Sequence, residues 1–228
     1  MVNLRAATTL SNEEVERAIW LDIEMRKADE IPAISGWMID NEYQVAVHDE
    51  LLIAAAKDKG IRFIDPVVHF EELLGLAEDE GRLIVSYTTH EYNKIQPLSA
   101  KLGEGLGRKY VSANYSKWFE RNMPELFEKA QGNQKRKSRK KRSFKKKSGY
   151  TLGLKDFLKL DEIGYPQRKK AAIGGAAKSI GEVRDKAIKG SKLSKSEKTR
   201  WTRLWTYLEH DVRGLAHLTE FVVEYGKM

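Results

Sequence analysis

Three short apolar runs near the start of the chain restrict its fold more than any other feature. Ala18–Glu24, Ile34–Ile39 and Tyr43–Val47 are of strand length and are bounded by polar residues. Only Asp40-Asn41-Glu42 separates the second from the third, a spacing that favours a hairpin. The three runs therefore predict an antiparallel meander. Downstream the period changes. A short helix is expected over Glu50–Lys57. A better one opens at Pro66, where Val67, Val68, Phe70, Leu73, Leu74 and Ala77 recur at helical spacing as far as Asp79. Gly81 ends it, and Arg82–Tyr87 is a compact apolar strand.

Further helical stretches follow at His90–Leu102, which contains Pro97, and within Ser116–Ala130, where Pro124 stands near a helix start. Leu154–Leu160 gives a turn or two, stopped by Gly164-Tyr165-Pro166. Ala176–Lys189 is a helix between glycine-containing loops, and a long helix runs from about Ser196 to Tyr225. An antiparallel meander followed by helices and a further strand predicts an α/β class. Ser11-Asn12-Glu13-Glu14 reads as a turn or short cap before the first strand.

At 228 residues, 41% of them apolar, the chain can build one sizeable core, and a single domain is expected over residues 1–228. No apolar run approaches the roughly 20 residues that span a bilayer, so no membrane association is expected. The start, MVNLRAATTL, lacks the pattern of a signal peptide. Cysteine is absent, which excludes disulfides, thiolate zinc sites and thiol nucleophiles. A cytoplasmic setting is expected.

The net charge of +8 hides a strong asymmetry. Between Gln131 and Arg203 lie 24 Lys and Arg against 6 Asp and Glu, leaving 17 against 27 in the rest of the chain. The segment KRKSRKKRSFKKK carries ten cations and no acid: Lys135, Arg136, Lys137, Arg139, Lys140, Lys141, Arg142, Lys145, Lys146 and Lys147. Such a block repels itself and stays solvated. It reads as a phosphate-seeking arm for nucleic acid, DNA or RNA, carried on a mobile insert over Gln131–Ser148. Arg168-Lys169-Lys170 and the cations from Lys186 to Arg203 add to that attraction. Phe144 and Tyr150 punctuate the loop, and Trp201 and Trp205 fall at packing positions of the last helix.

Three acids are out of place in this pattern. On a strand, side chains alternate between faces. In IWLDIE, Ile19, Leu21 and Ile23 share one face, while Trp20, Asp22 and Glu24 share the other. Adjacent carboxylates repel unless a cation lies between them. On the final helix, Leu204, Leu208, Val212, Leu215, Leu218 and Val222 form one apolar stripe at roughly 100° per residue. Asp211 falls on that stripe or its edge, where an isolated carboxylate is expensive. Tyr207 stands one turn earlier and can address the same site. His210 and His217 fall on the opposite face and read as ordinary surface histidines without a metal role. Glu91 opens a helix in SYTTHEYNKI, where the dipole alone would favour an acid; His90 and Asn93 are nearby alternatives.

Taken in order, a strand ending in Asp-Ile-Glu, a hairpin, a strand-to-helix turn with an acid and a late Tyr-Leu-Glu-His-Asp resemble the DEDD exonucleases of the ribonuclease-H-like superfamily. The tyrosine places the likeness in the subgroup with a tyrosine before the last aspartate. More closely, the chain is similar to the ribonuclease-H-like domain of predicted RecB-type nucleases, whose middle motif, Y-x-x-x-E, is matched by Tyr87-Thr88-Thr89-His90-Glu91. The resemblance covers Ile19–Leu98 and Leu152–Val223, not the basic arm. It implies a ribonuclease-H-like mixed sheet, three antiparallel strands and then parallel ones, flanked by helices, and a nuclease that hydrolyses phosphodiester bonds, acting 3′ to 5′. Two Mg²⁺ or Mn²⁺ ions roughly 4 Å apart would be held by Asp22, Glu24, Glu91 and Asp211, with Asp22 bridging and Tyr207 orienting the attacking water. The broader superfamily places an aspartate after an aromatic residue in the middle motif, which would fall on Asn93. Glu91 is the expected ligand because it keeps the charge that two divalent cations demand. The alternative is a ribonuclease-H-like protein without catalysis that holds nucleic acid through its arm.

Overall fold

The structure, a computed structural model, describes residues 4–139, 152–166 and 175–226, excepting the side chains of residues 133–139. Its centre is a seven-stranded sheet. The strands are β1 (Arg5–Ala6), β2 (Ile19–Glu24), β3 (Ile34–Ile39), β4 (Glu42–Val47), β5 (Arg62–Phe63), β6 (Ile84–Ser86) and β7 (Tyr110–Ser112), in the spatial order β1-β7-β6-β2-β3-β4-β5. Strands β2, β3 and β4 form the expected antiparallel meander, and the remaining pairings are parallel. Asp40 and Asn41 make the hairpin turn with φ of 50° and 66°. Two positive φ angles in succession give a connection that matches the strand twist, and Asn and Asp tolerate them best among residues with a side chain.

The helices are α1 (Asn12–Glu16), α2 (Ile53–Lys57), α3 (Pro66–Asp79), α4 (His90–Ile95), α5 (Ala100–Lys109), α6 (Ser116–Asn122), α7 (Pro124–Arg139), α8 (Leu154–Phe157), α9 (Ala176–Ile188) and α10 (Lys195–Tyr225). Their ends follow local chemistry. Asp65 caps α3 by accepting from the Val67 and Val68 amides, with Pro66 at the first position. Ser194 and Glu197 form a reciprocal capping box on α10, as Ser11 and Glu14 do on α1. The flanking helices and mixed sheet are those of an α/β fold consistent with a ribonuclease-H-like sheet.

Several expectations need correction. The stretch His90–Leu102 is not one helix. Pro97 lacks an amide donor, so a 3₁₀ turn at Gln96–Leu98 interrupts the run, and Ser99 caps the new helix α5 through the Leu102 amide. The first part of the loop expected over Gln131–Ser148 is helical, because α7 continues to Arg139; residues 140–148 lie outside the described residues. Straight-chain Lys and Arg are good helix formers, and cations near a helix C-terminus are favoured by its dipole. Strands β1, β5 and β7 are two or three residues long and were not expected.

The sheet divides the core. On one face Ile19, Leu21, Ile23 and Trp37 pack against α3 and α5 through Phe70, Leu74, Leu102 and Leu106. On the other, Trp20, Met38 and Val85 meet α10 at Val212 and Leu215, while Ile34 and Val47 meet its first half and α9. All six residues of the predicted α10 stripe are buried. Trp201 is a packing residue, as expected. Its indole donates to the Ala55 carbonyl, and its ring lies edge-on to Trp205, 4.5 Å away. No helix among the described residues is long and apolar enough to cross a membrane.

Candidate metal centre

Where α10 crosses β2 and β3, the face carrying Asp22 and Glu24 meets Asp211. One oxygen from each of the three carboxylates lies within 4.8 Å of the others. Residues from opposite ends of the chain thus converge on one point. Two close approaches set that geometry. Gly36 is the cross-strand partner of Asp22, and a Cβ there would come 2.6 Å from the Tyr43 hydroxyl and 2.7 Å from Leu208 Cγ. Only glycine lets Leu208, and with it α10, settle so near β3. A Cβ on Gly214 would collide with Leu158, so glycine there brings α8 against α10.

Glu91 is buried and lines a cleft of about 390 Å³ together with Asp22, Lys155 and Asp211. Asn93, the alternative, is exposed on the outer side of α4. The Glu91 carboxylate accepts from Thr88 Oγ1 at 2.8 Å and from Ser86 Oγ at 3.3 Å. Behind this turn stands Tyr110. Its hydroxyl donates to the Thr88 carbonyl at 2.8 Å and accepts from the Tyr92 amide at 3.2 Å. The strand-to-helix turn is therefore pinned from β7, and Glu91 does more than complement a helix dipole.

The electrostatics are those of crowded acids. Burial first, then the charges of Glu24, Asp211 and Glu91, push the Asp22 carboxyl well above its ordinary range. Burial is also the largest cause for Glu24, raised to about 7; Lys155 opposes the rise, and Asp211 and Glu91 add to it. Glu91 is raised by burial and held back by its hydrogen bonds from Thr88 and Ser86. Asp211 Oδ1 is buried without a hydrogen-bond partner among the described residues, and His210 Nδ1 lies 3.7 Å away. A buried acceptor of this kind is expensive. Hard oxygen donors in a tight cluster, one oxygen unsatisfied, form a donor set that suits a hard divalent cation. The three-carboxylate cluster can hold a metal ion.

Tyr207 is half-buried beside this cluster, with its hydroxyl hydrogen-bonded to the Lys155 ammonium. Lys155 also pairs with Asp211 Oδ2 at 2.7 Å. Sequence reasoning missed Lys155, which is one cation among many in a basic stretch. The packing of Leu158 against Gly214 brings it to the site. Tyr110 was missed because its strand is too short to show a period. The two histidines of α10 also need correction. His210 is buried against the Tyr165 ring, and His217 is half-buried, with Nε2 2.6 Å from the Ile163 carbonyl. The segment after α8 folds over what would have been the helix's polar face.

Of the ten cations in the basic arm, Lys135, Arg136, Lys137 and Arg139 fall on the last turns of α7. Lys140, Lys141, Arg142, Lys145, Lys146 and Lys147 lie outside the described residues, as do Phe144, Tyr150 and Arg168-Lys169-Lys170. No protein-family model, curated protein or solved structure matches this chain.

Proposed function

We propose that this chain is a metal-dependent nuclease that hydrolyses phosphodiester bonds in DNA or RNA, acting as a 3′–5′ exonuclease on two Mg²⁺ or Mn²⁺ ions. The observation that carries this reading is the meeting of Asp22, Glu24 and Asp211 within 4.8 Å, in the order and on the elements that the resemblance implies. The direction of cleavage rests on the resemblance alone. When bound, the ions supply Lewis acidity to the attacking water and to the charge that develops on the scissile phosphate.

The residues divide the remaining work. Asp22, whose carboxylate lies near those of Glu24, Asp211 and Glu91, would help to hold both ions. Glu24 and Asp211 close the cluster from β2 and α10, and Glu91 approaches from the turn after β6. Tyr207 orients the attacking water through its hydroxyl. The open cleft admits a strand end, and the arm from Lys135 to Lys147 supplies the attraction that the acidic remainder of the chain lacks. Binding through that arm should weaken steeply with salt.

The test uses end-labelled single- and double-stranded DNA and RNA with Mg²⁺ or Mn²⁺. Wild type should shorten the substrate from its 3′ end, and Asp22→Asn and Asp211→Asn should not. Undiminished metal-dependent cleavage by either variant overturns the reading. Binding without cleavage by wild type supports a nucleic-acid-holding protein instead.

A further inference from the structure

Lys155 stands where a metal ligand set should have room for a second cation. Its Nζ is 2.7 Å from Asp211 Oδ2, donates to the Tyr207 hydroxyl and lies 3.8 Å from the centre of the Tyr207 ring. Its charge also reaches Asp22 and Glu24 across the site. The ammonium enters from the lip of the cleft on the short helix α8, and its side chain is 41% exposed, whereas that of Asp211 is 8% exposed. One oxygen of Asp211 is thus matched by a tethered cation, and the other, Oδ1, has no hydrogen-bond partner among the described residues.

We infer that Lys155 is a built-in counter-ion that occupies the Asp211 side of the metal centre and must leave when the second divalent ion enters. A lysine ammonium and a divalent ion repel at contact distance in a half-buried site, so Asp211 Oδ2 cannot serve both. The carboxylates of Asp22 and Glu24, each with an oxygen within 4.8 Å of one on Asp211, would take the first ion. The second ion binds only by breaking the Lys155–Asp211 pair and freeing the Tyr207 hydroxyl. The two ions therefore bind with unequal affinity, and Lys155 sets the difference. It also couples filling of the site to release of Tyr207, the group that orients water. Lys155 is in this sense a positioning residue.

The inference rests on the metal-nuclease reading, and calorimetric Mn²⁺ titration without nucleic acid separates the two. Wild type should take up one ion tightly and a second more weakly. Lys155→Met, or Lys155→Gln should the first fold poorly, should tighten the weak step at least tenfold. Lys155→Arg, which keeps the charge, should leave that step weak. Electron paramagnetic resonance of free Mn²⁺ counts the ions independently. Equal affinities in wild type and Lys155→Met, or weaker binding by the variant, would overturn the inference and leave the metal centre standing. No Mn²⁺ uptake by wild type or variant would overturn both.

Discussion

Adjacent residues of β3 face two polar clusters that the protein treats in opposite ways. Gly36 looks toward Asp22, Glu24 and Asp211. Ser35, one residue earlier, looks to the other side of the sheet, toward His48 and His69. There every ring nitrogen facing the serine has a role. His48 Nδ1 donates to the Ile64 carbonyl at 2.8 Å, which leaves Nε2 to accept from Ser35 Oγ at 2.8 Å; His69 Nε2 in turn donates to Ser35 Oγ at 3.0 Å. All three side chains are buried. Burial, with the further charges of His48 and Arg62 acting on His69, keeps the rings neutral, with pKa values near 4 and 3. Across the sheet, four like charges crowd together, and Asp211 Oδ1 and the Tyr43 hydroxyl lack hydrogen-bond partners among the described residues. One sheet thus supports a cluster that is complete in itself and another that is complete only with something added. The first contributes stability, and the second costs it while its like charges stand uncompensated.

The sharpest way to break this contrast is to neutralise one member of the acidic side. Asp22→Asn should lower metal-dependent cleavage by about three orders of magnitude or more, since metal-borne charge stabilisation is worth several kcal/mol. In the metal-free protein the same change should raise the denaturation midpoint, because an amide escapes the repulsion that Asp22 suffers. A drop in that midpoint would mean that the acids are mutually satisfied, as the histidines are.

Lowering the pH probes the opposite side. The folded-state pKa values of His48 and His69 lie below the unfolded value of about 6.5. Their contribution is therefore full above pH 6.5 and is lost as pH falls toward 4 and then 3. Across the two rings the loss should be roughly 3 kcal/mol or more. Denaturant titrations between pH 7 and 4 on wild type and on His69→Phe measure it. The variant's curve should be flatter, and parallel curves would refute a buried neutral ring at position 69. Ser35→Ala is the milder injury. It strands one acceptor and one donor at once, at about 2 kcal/mol, and should leave cleavage per folded molecule unchanged.

These clusters were unequally legible. The acidic side announced itself because Asp22 and Glu24 break an apolar strand and Asp211 breaks an apolar helix stripe, both of which show in a period. The hairpin, α3 and α10 were legible for the same reason, with turn and cap residues at their ends. The Ser35 cluster left no such trace. A serine in ISGWMI and two histidines in separate elements are ordinary residues until the sheet and α3 bring them together. Lys155 and Tyr110 were hidden differently. Their roles come from contacts between elements distant in sequence, through Leu158 against Gly214 and through the pairing of β6 with β7. The burial of His210 and His217 likewise depends on the chain around Ile163 and Tyr165.

Tyr43 offers the smallest and most discriminating change. Its ring packs across Gly36 from β4, and its hydroxyl is buried without a hydrogen bond. Burial and the nearby charge of Asp22 push its ionisation far up, so the group stays protonated. A phenol of this kind has lost its water and gained nothing in exchange. Tyr43→Phe keeps the packing and deletes the orphan oxygen. It should therefore stabilise the metal-free protein by up to about 1 kcal/mol, opposite in sign to Ser35→Ala on the other face of the same strand. Chemical denaturation of the two variants side by side reads the sign directly. A cost of 1 kcal/mol or more at position 43 would show that the hydroxyl has a partner, and the acidic face would then be more complete than its unpaired oxygens imply.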